Sequence, residues 1–143
     1  HQIGSGYHDM TEFPAAGAAA EAALKDAGLS LADIDLAELY APCTISEILV
    51  AESMGWFKRG QAALASAQGE TSLGGSIPLN TSGGCLSRGH PPALTALYGL
   101  LELREQLLGM AGDRQVNGAR LAMASCEGGN YNAAMVHVLE GPQ

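Results

Sequence analysis

Two stretches of this 143-residue chain carry the residue types that move protons. In the first, Asn80-Thr81-Ser82-Gly83-Gly84 runs on to Gly89-His90-Pro91, a glycine-lined turn that delivers one imidazole to the start of an apolar helix. In the second, Cys126-Glu127-Gly128-Gly129 puts a thiol at the end of an apolar strand. An imidazole serves as general base or donor near neutral pH, and a thiol carries a proton of adjustable acidity. His90 and Cys126 together read as half of an acid/base site. Tyr40 closes a strand candidate and could aim its hydroxyl at a cleft. Asn80, Gly83 and Gly84 could offer an amide and backbone N–H groups to an oxyanion, and Gly128 would let backbone lie close to a ligand. Each has a plainer alternative: a capping histidine, an inert buried thiol, an ordinary glycine turn, a packing tyrosine. Cys43 and Cys85 read as packing residues and His137 as structural. The histidines lack metal-ligand spacing, so no metal site is expected.

The elements that must position these groups follow from pattern. Residues 14 to 27 predict a helix, with Pro14 in its first turn and Gly28 as its stop. Ile34 to Tyr40 suggests a strand, and Thr44 to Met54 a helix ending at Gly55. Residues 55 to 76 are rich in Gly, Ser, Gln and Ala and read as a long irregular excursion. Ile77 to Asn80 is a short strand candidate. From Pro91 to Met110, Leu94, Leu97, Tyr98, Leu101 and Leu108 form one stripe at helical spacing, and Leu100, Leu103 and Leu107 part of a second. A helix apolar on two sides is expected to be covered on two sides. Strands over Ala119–Ser125 and Ala133–Leu139 follow, with a turn between them. An entry strand near Ile3 completes the order strand, helix, strand, helix, strand, helix, strand, strand, an α/β layered domain with a mixed sheet.

Bulk properties bound the function. One domain fits the length, and 47% hydrophobic content supports a core. A net charge of −8 with only 7 Lys+Arg leaves no basic patch for a nucleic-acid backbone. Three cysteines without a CxxC pair read as reduced thiols, hence a cytoplasmic protein. No apolar run reaches membrane-spanning length and no signal-peptide pattern is visible. The chain opens on His1-Gln2-Ile3-Gly4 without Met, which reads as the middle of something.

Asn80-x-x-Gly83-Gly84, Gly89-His90-Pro91 and Cys126-x-Gly128, taken in order, resemble the C-terminal half of a thiolase, with the sterol-carrier-protein-x or lipid-transfer type the nearest flavour. The resemblance runs from near Ile3 to Val136-His137-Val138-Leu139. It implies a five-stranded mixed sheet with helices on both faces, stacked on a second half so that helices lie between two sheets. It also implies carbon–carbon bond chemistry on coenzyme A thioesters, with no tightly bound cofactor. In such enzymes a cysteine of the N-terminal half is acylated. The histidine matching His90 activates that thiol and helps hold the thioester oxygen, and a cysteine matching Cys126 moves the α-proton. The partners implied are an acyl-CoA substrate, an N-terminal thiolase half or homologous subunit in an oligomer, and an OB-fold acyl-CoA-binding companion.

Three departures stand out. No nucleophile half is present, and Cys43 lies in the wrong motif to replace it. The family's Asn-Glu-Ala-Phe or His-Asp-Cys-Phe tetrapeptide stands here as Tyr40-Ala41-Pro42-Cys43. The usual Gly-His-Pro-x-Gly-Ala-Ser/Thr-Gly becomes Gly89-His90-Pro91-Pro92-Ala93-Leu94-Thr95-Ala96, where added methyl groups would narrow the approach of a pantetheine arm. Thiolase-like subunits that act as retro-aldolases on branched-chain or steroid acyl-CoA use tyrosine chemistry, and Tyr40 would suit such a variant. A non-catalytic acyl-CoA or lipid-binding module is the remaining alternative.

Overall fold

The computed structural model of the protein describes residues 9–91 and 94–142. The expected entry strand near Ile3 lies outside them. Helices α1 (Pro14–Ala27) and α2 (Thr44–Met54) form over the residues that the sequence pattern predicts, and each ends on a left-handed glycine, Gly28 and Gly55. Gly17 lets α1 approach α2 closely, because a Cβ there would sit 2.4 Å from the Ser53 carbonyl oxygen. Strands β1 (Leu36–Glu38), β2 (Leu121–Gly128) and β3 (Ala133–Glu140) form a sheet in that spatial order, β1 parallel and β3 antiparallel to β2.

The described residues thus contain three strands, not the five expected. The Ile77–Asn80 segment contributes only one parallel bridge, Leu79 to Ala37. Pro78 brings no N–H to extend a ladder, so contact is limited to Ala37 N–H on the Pro78 carbonyl and Asn80 N–H on the Ala37 carbonyl. β1 itself is shorter than the Ile34–Tyr40 run suggested, because beyond Glu38 the Leu39 N–H is captured by the Asn80 side chain at 2.8 Å. The 55–76 excursion also holds a helix, α3 (Ala62–Ala67), too short and too uniform in small residues to show an apolar stripe.

Alternation along the strands divides the core. Ala37, Leu39 and Met123 pack toward α1 and α2, while Leu36, Ala122 and Ala124 pack toward α5 (Thr95–Leu107). Helices therefore lie on both faces of the sheet. α5 is shorter than the Pro91–Met110 pattern suggested, and its two apolar stripes have different fates. Leu103 is fully buried against the sheet with Leu100 and Leu107 beside it. Leu94, Leu97, Tyr98, Leu101 and Leu108 stay exposed, each above 40%. Among the described residues, no helix is long and apolar enough to cross a membrane.

Candidate active site

The glycine turn holds the site together from one side. Gly83 and Gly84 both have positive φ, 83° and 57°, and open a short helix, α4 (Gly84–Arg88). That backbone disfavours any residue with a Cβ, and at Gly83 a Cβ would meet the Ser87 side chain at 2.6 Å. Their N–H groups are engaged inside the turn, Gly83 on the Asn80 carbonyl and Gly84 on the Ser82 hydroxyl. Ser82 in turn donates to buried Glu38 of β1, with the Arg88 guanidinium alongside. Asn80 is buried, and its amide accepts from Leu39 N–H and donates to Glu47 of α2 at 2.5 Å. The structure therefore places Asn80, Gly83 and Gly84 in the framework behind the site, not on its wall.

The wall itself is an open cleft of about 260 Å³ that brings together Tyr40, His90, Thr95, Cys126, Glu127 and Gly128. Tyr40 arrives just past β1, His90 from the loop before α5, and Cys126 from the end of β2. The Tyr40 hydroxyl lies 3.2 Å from His90 Nε2, the two rings meeting edge to face. On the other side of the imidazole, Nδ1 is 2.7 Å from Thr95 Oγ1, whose own proton goes to the Pro91 carbonyl at 3.0 Å. A hydroxyl has one proton to give. With that proton spent on Pro91, Thr95 accepts from Nδ1–H, and Nε2 is left with its lone pair, which faces the Tyr40 hydroxyl. Buried Thr95 thereby selects the tautomer that makes Nε2 the base.

Burial raises the Tyr40 phenol above its ordinary range, reinforced by Cys85, Cys126, Glu127 and Cys43 around it. Of the three thiols, Cys126 shares the cleft with this phenol. Cys126 is half-buried, and its thiol is raised by burial and then by the neighbouring Glu127 carboxylate. At neutral pH both groups hold their protons.

Thr95 and Glu127 are functional candidates to which sequence reading gave no role. A hydroxyl five residues after His90 at a helix start, and a lone acid in the apolar run Leu121–Gly128, were the available signals. Glu127 is 4% exposed, and burial pushes its carboxyl from the ordinary 4.5 up to about 7, against the hydrogen bond from Ser125. The folded state binds this proton more tightly than the unfolded chain does. The resulting stabilisation is fully present below about pH 4.5 and is lost as pH rises through 7, on the order of 3 kcal/mol. Denaturant midpoints at pH 5 and 8 should show this decline, and Glu127→Gln should flatten it; identical slopes in parent and variant would refute the assignment. No group of three or more His, Cys, Asp or Glu among the described residues could hold a metal ion.

Comparison with known proteins agrees with the fold. A family described as "Thiolase C-terminal domain-like" matches residues 1–141. An acetyl-CoA acetyltransferase of Methanothermobacter thermautotrophicus is 40% identical over 91% of this chain, and sterol carrier protein 2 of Homo sapiens is 39% identical over 80% of it. The chain spans only 34% of the first and 21% of the second. Among solved structures, a chain of the Ltp2-ChsH2(DUF35) aldolase superposes with a TM-score of 0.84 over 96% of this chain and 34% of its own length, at 23% identity, a likeness of fold. From a family match along almost its whole length and relatives at about 40% identity, the chain belongs to the thiolase C-terminal domain-like family.

Proposed function

We propose that the chain forms the C-terminal, acid/base half of a thiolase-like enzyme that makes or cleaves carbon–carbon bonds in coenzyme A thioesters. The observation that carries this reading is the His90 imidazole, oriented by Thr95, facing the same cleft as Cys126. His90 Nε2 is the base that takes the proton from an acyl-accepting thiol of the N-terminal half. Cys126 is the α-proton carrier: as a thiol of raised pKa it protonates a departing enolate, and as thiolate it is a strong base in the opposite direction. The thioester polarises the α-carbon, and Nε2–H, once formed, supports the oxyanion. Such an enzyme needs the acyl-CoA substrate and a companion half in an oligomer, with an OB-fold acyl-CoA-binding companion as a further candidate partner. It needs no tightly bound cofactor.

A second reading is supported by Tyr40. Its hydroxyl already points its proton at His90 Nε2, the arrangement a retro-aldolase needs to pull a proton from a 3-hydroxyl group through the phenol. The two are separated by supplying a nucleophile-bearing half and assaying both substrate types. On the thiolase reading, Cys126→Ala lowers cleavage of 3-ketoacyl-CoA by about 100-fold or more, and Tyr40→Phe costs little. The aldolase reading inverts this: Tyr40→Phe abolishes cleavage of 3-hydroxyacyl-CoA and Cys126→Ala is tolerated. Binding of acyl-CoA with no turnover by either route would sink both and leave a binding module.

A further inference from the structure

Beneath the cleft, one carboxylate is buried between the sheet and α5. Leu36, Ala122 and Ala124 form the apolar lining of that layer. Strand alternation puts Glu38 on the same face as Leu36, paired across the ladder with Ala124. Gly99 brings α5 down onto it, since a Cβ there would sit 3.2 Å from Glu38 Cβ. Glu38 is 2% exposed. Its Oε1 accepts from Ser82 N–H at 3.1 Å and its Oε2 from the Ser82 hydroxyl at 2.7 Å. The Arg88 guanidinium enters this layer from the end of α4. Its Nη1 lies 2.6 Å from the Ser82 hydroxyl and its Nη2 3.4 Å from Glu38 Oε2. Its Cζ stands over the Tyr98 ring of α5, 5.7 Å from the centroid. Burial raises the Glu38 carboxyl, and the Ser82 bonds and the Arg88 charge oppose that rise.

Such a bridge is a poor way to gain stability. A buried ion pair often stabilises less than apolar side chains of similar volume, and here the Arg88 Nε is buried with no partner among the described residues. Its apolar neighbours show what would otherwise suit the layer. What distinguishes the bridge is its place. Glu38 stands two residues before Tyr40, and Arg88 two residues before His90. On α5, Gly99 lies about one turn beyond Thr95. The bridge therefore joins the same three segments as the hydrogen-bonded line Tyr40–His90–Thr95, one layer below it. Helix α4 has only five residues, too few to hold its own shape. Asn80 fastens the entrance of this turn to β1, and Arg88 fastens its exit, from which His90 follows. Resting on the reading of His90 as the base, we propose that Arg88 is a positioning residue whose bridge through Ser82 to Glu38 holds the imidazole against Tyr40. A planar fork reaching two acceptors fixes direction as well as distance, which a lysine ammonium does not.

The deciding readout is the nuclear Overhauser effect between the Tyr40 and His90 rings, measured in the full chain without turnover. Glu38→Gln combined with Arg88→Met removes both charges, leaves an acceptor for Ser82, and keeps apolar length against Tyr98. This variant is expected to melt at or above the parent temperature and yet to lose most of the Tyr40–His90 signal. With a nucleophile-bearing half supplied, its kcat should fall about 10- to 100-fold at unchanged KM. Parent-like melting with an undiminished ring contact would overturn the proposal. Should the combined variant melt lower or fail to fold, Arg88→Lys decides, because it keeps the charge and loses the fork. A weakened ring contact there supports the role, and an unchanged one overturns it. An inactive parent complex would count against the acid/base reading and leave the ring contact to decide this one.

Discussion

Replacing His90 with alanine is expected to lower acyl-CoA carbon–carbon cleavage, measured with a nucleophile-bearing half supplied, by about 10²- to 10⁴-fold. The loss should fall on kcat more than on KM, because the imidazole moves a proton in the transition state while the cleft walls remain. Neither of its hydrogen-bond partners can take its place. Thr95 and Tyr40 are hydroxyls held in their neutral forms, and exposed His137 belongs to β3, paired with Ala124. His90 is itself exposed, so the variant should fold normally. Added imidazole restoring part of the rate would identify the missing function as a proton acceptor. Activity equal to the parent would end the role assigned to His90.

Disrupting the outer face of α5 should have an effect of similar size, on assembly instead of chemistry. Leu97 and Leu101 are 52% and 48% exposed, one turn apart, with Tyr98 between them. An apolar stripe of this kind marks a surface that something covers, and in the proposed enzyme that something is the helix layer of the companion half. Leu97→Asp with Leu101→Asp points two charges outward, so the sheet-facing Leu103 and the melting behaviour should be spared. Two desolvated carboxylates at the centre of an apolar interface should weaken association with a separately expressed N-terminal half by more than about 100-fold. Co-sedimentation measures this. Undiminished association would mean that α5 is not the covered surface.

Much of the frame is legible in the sequence because it depends on local rules. Pro14, Gly28 and Gly55 announce helix ends through backbone constraints that act within a few residues. The double leucine stripe of α5 is legible as two faces, since each side chain's direction follows from helical period, although only the Leu103 face is covered here. His90, Cys126 and Tyr40, each singled out by residue type and element end, line one cleft. Long-range pairing is what remained hidden. The capture of Leu39 N–H by Asn80 joins positions 41 residues apart and shortens a strand that its own sequence would extend. The same pairing takes the Asn80 amide away from the cleft. Thr95 and Glu127 escaped notice because neither residue type signals chemistry until its hydrogen-bond partners and burial are known.

Asn80 merits a different description from the one its sequence motif invites. Tyr40 and His90 come to the cleft on segments 50 residues apart, and their contact is 3.2 Å. Asn80 opens the turn that leads to His90, binds the residue preceding Tyr40, and is braced by Glu47 on α2. It also sits in the left-handed region, at φ 51°, where asparagine is tolerated better than most side chains. One amide is therefore the alignment joint between the two arms of the proton line. The spacing of phenol and imidazole is set by a side chain that touches neither ring.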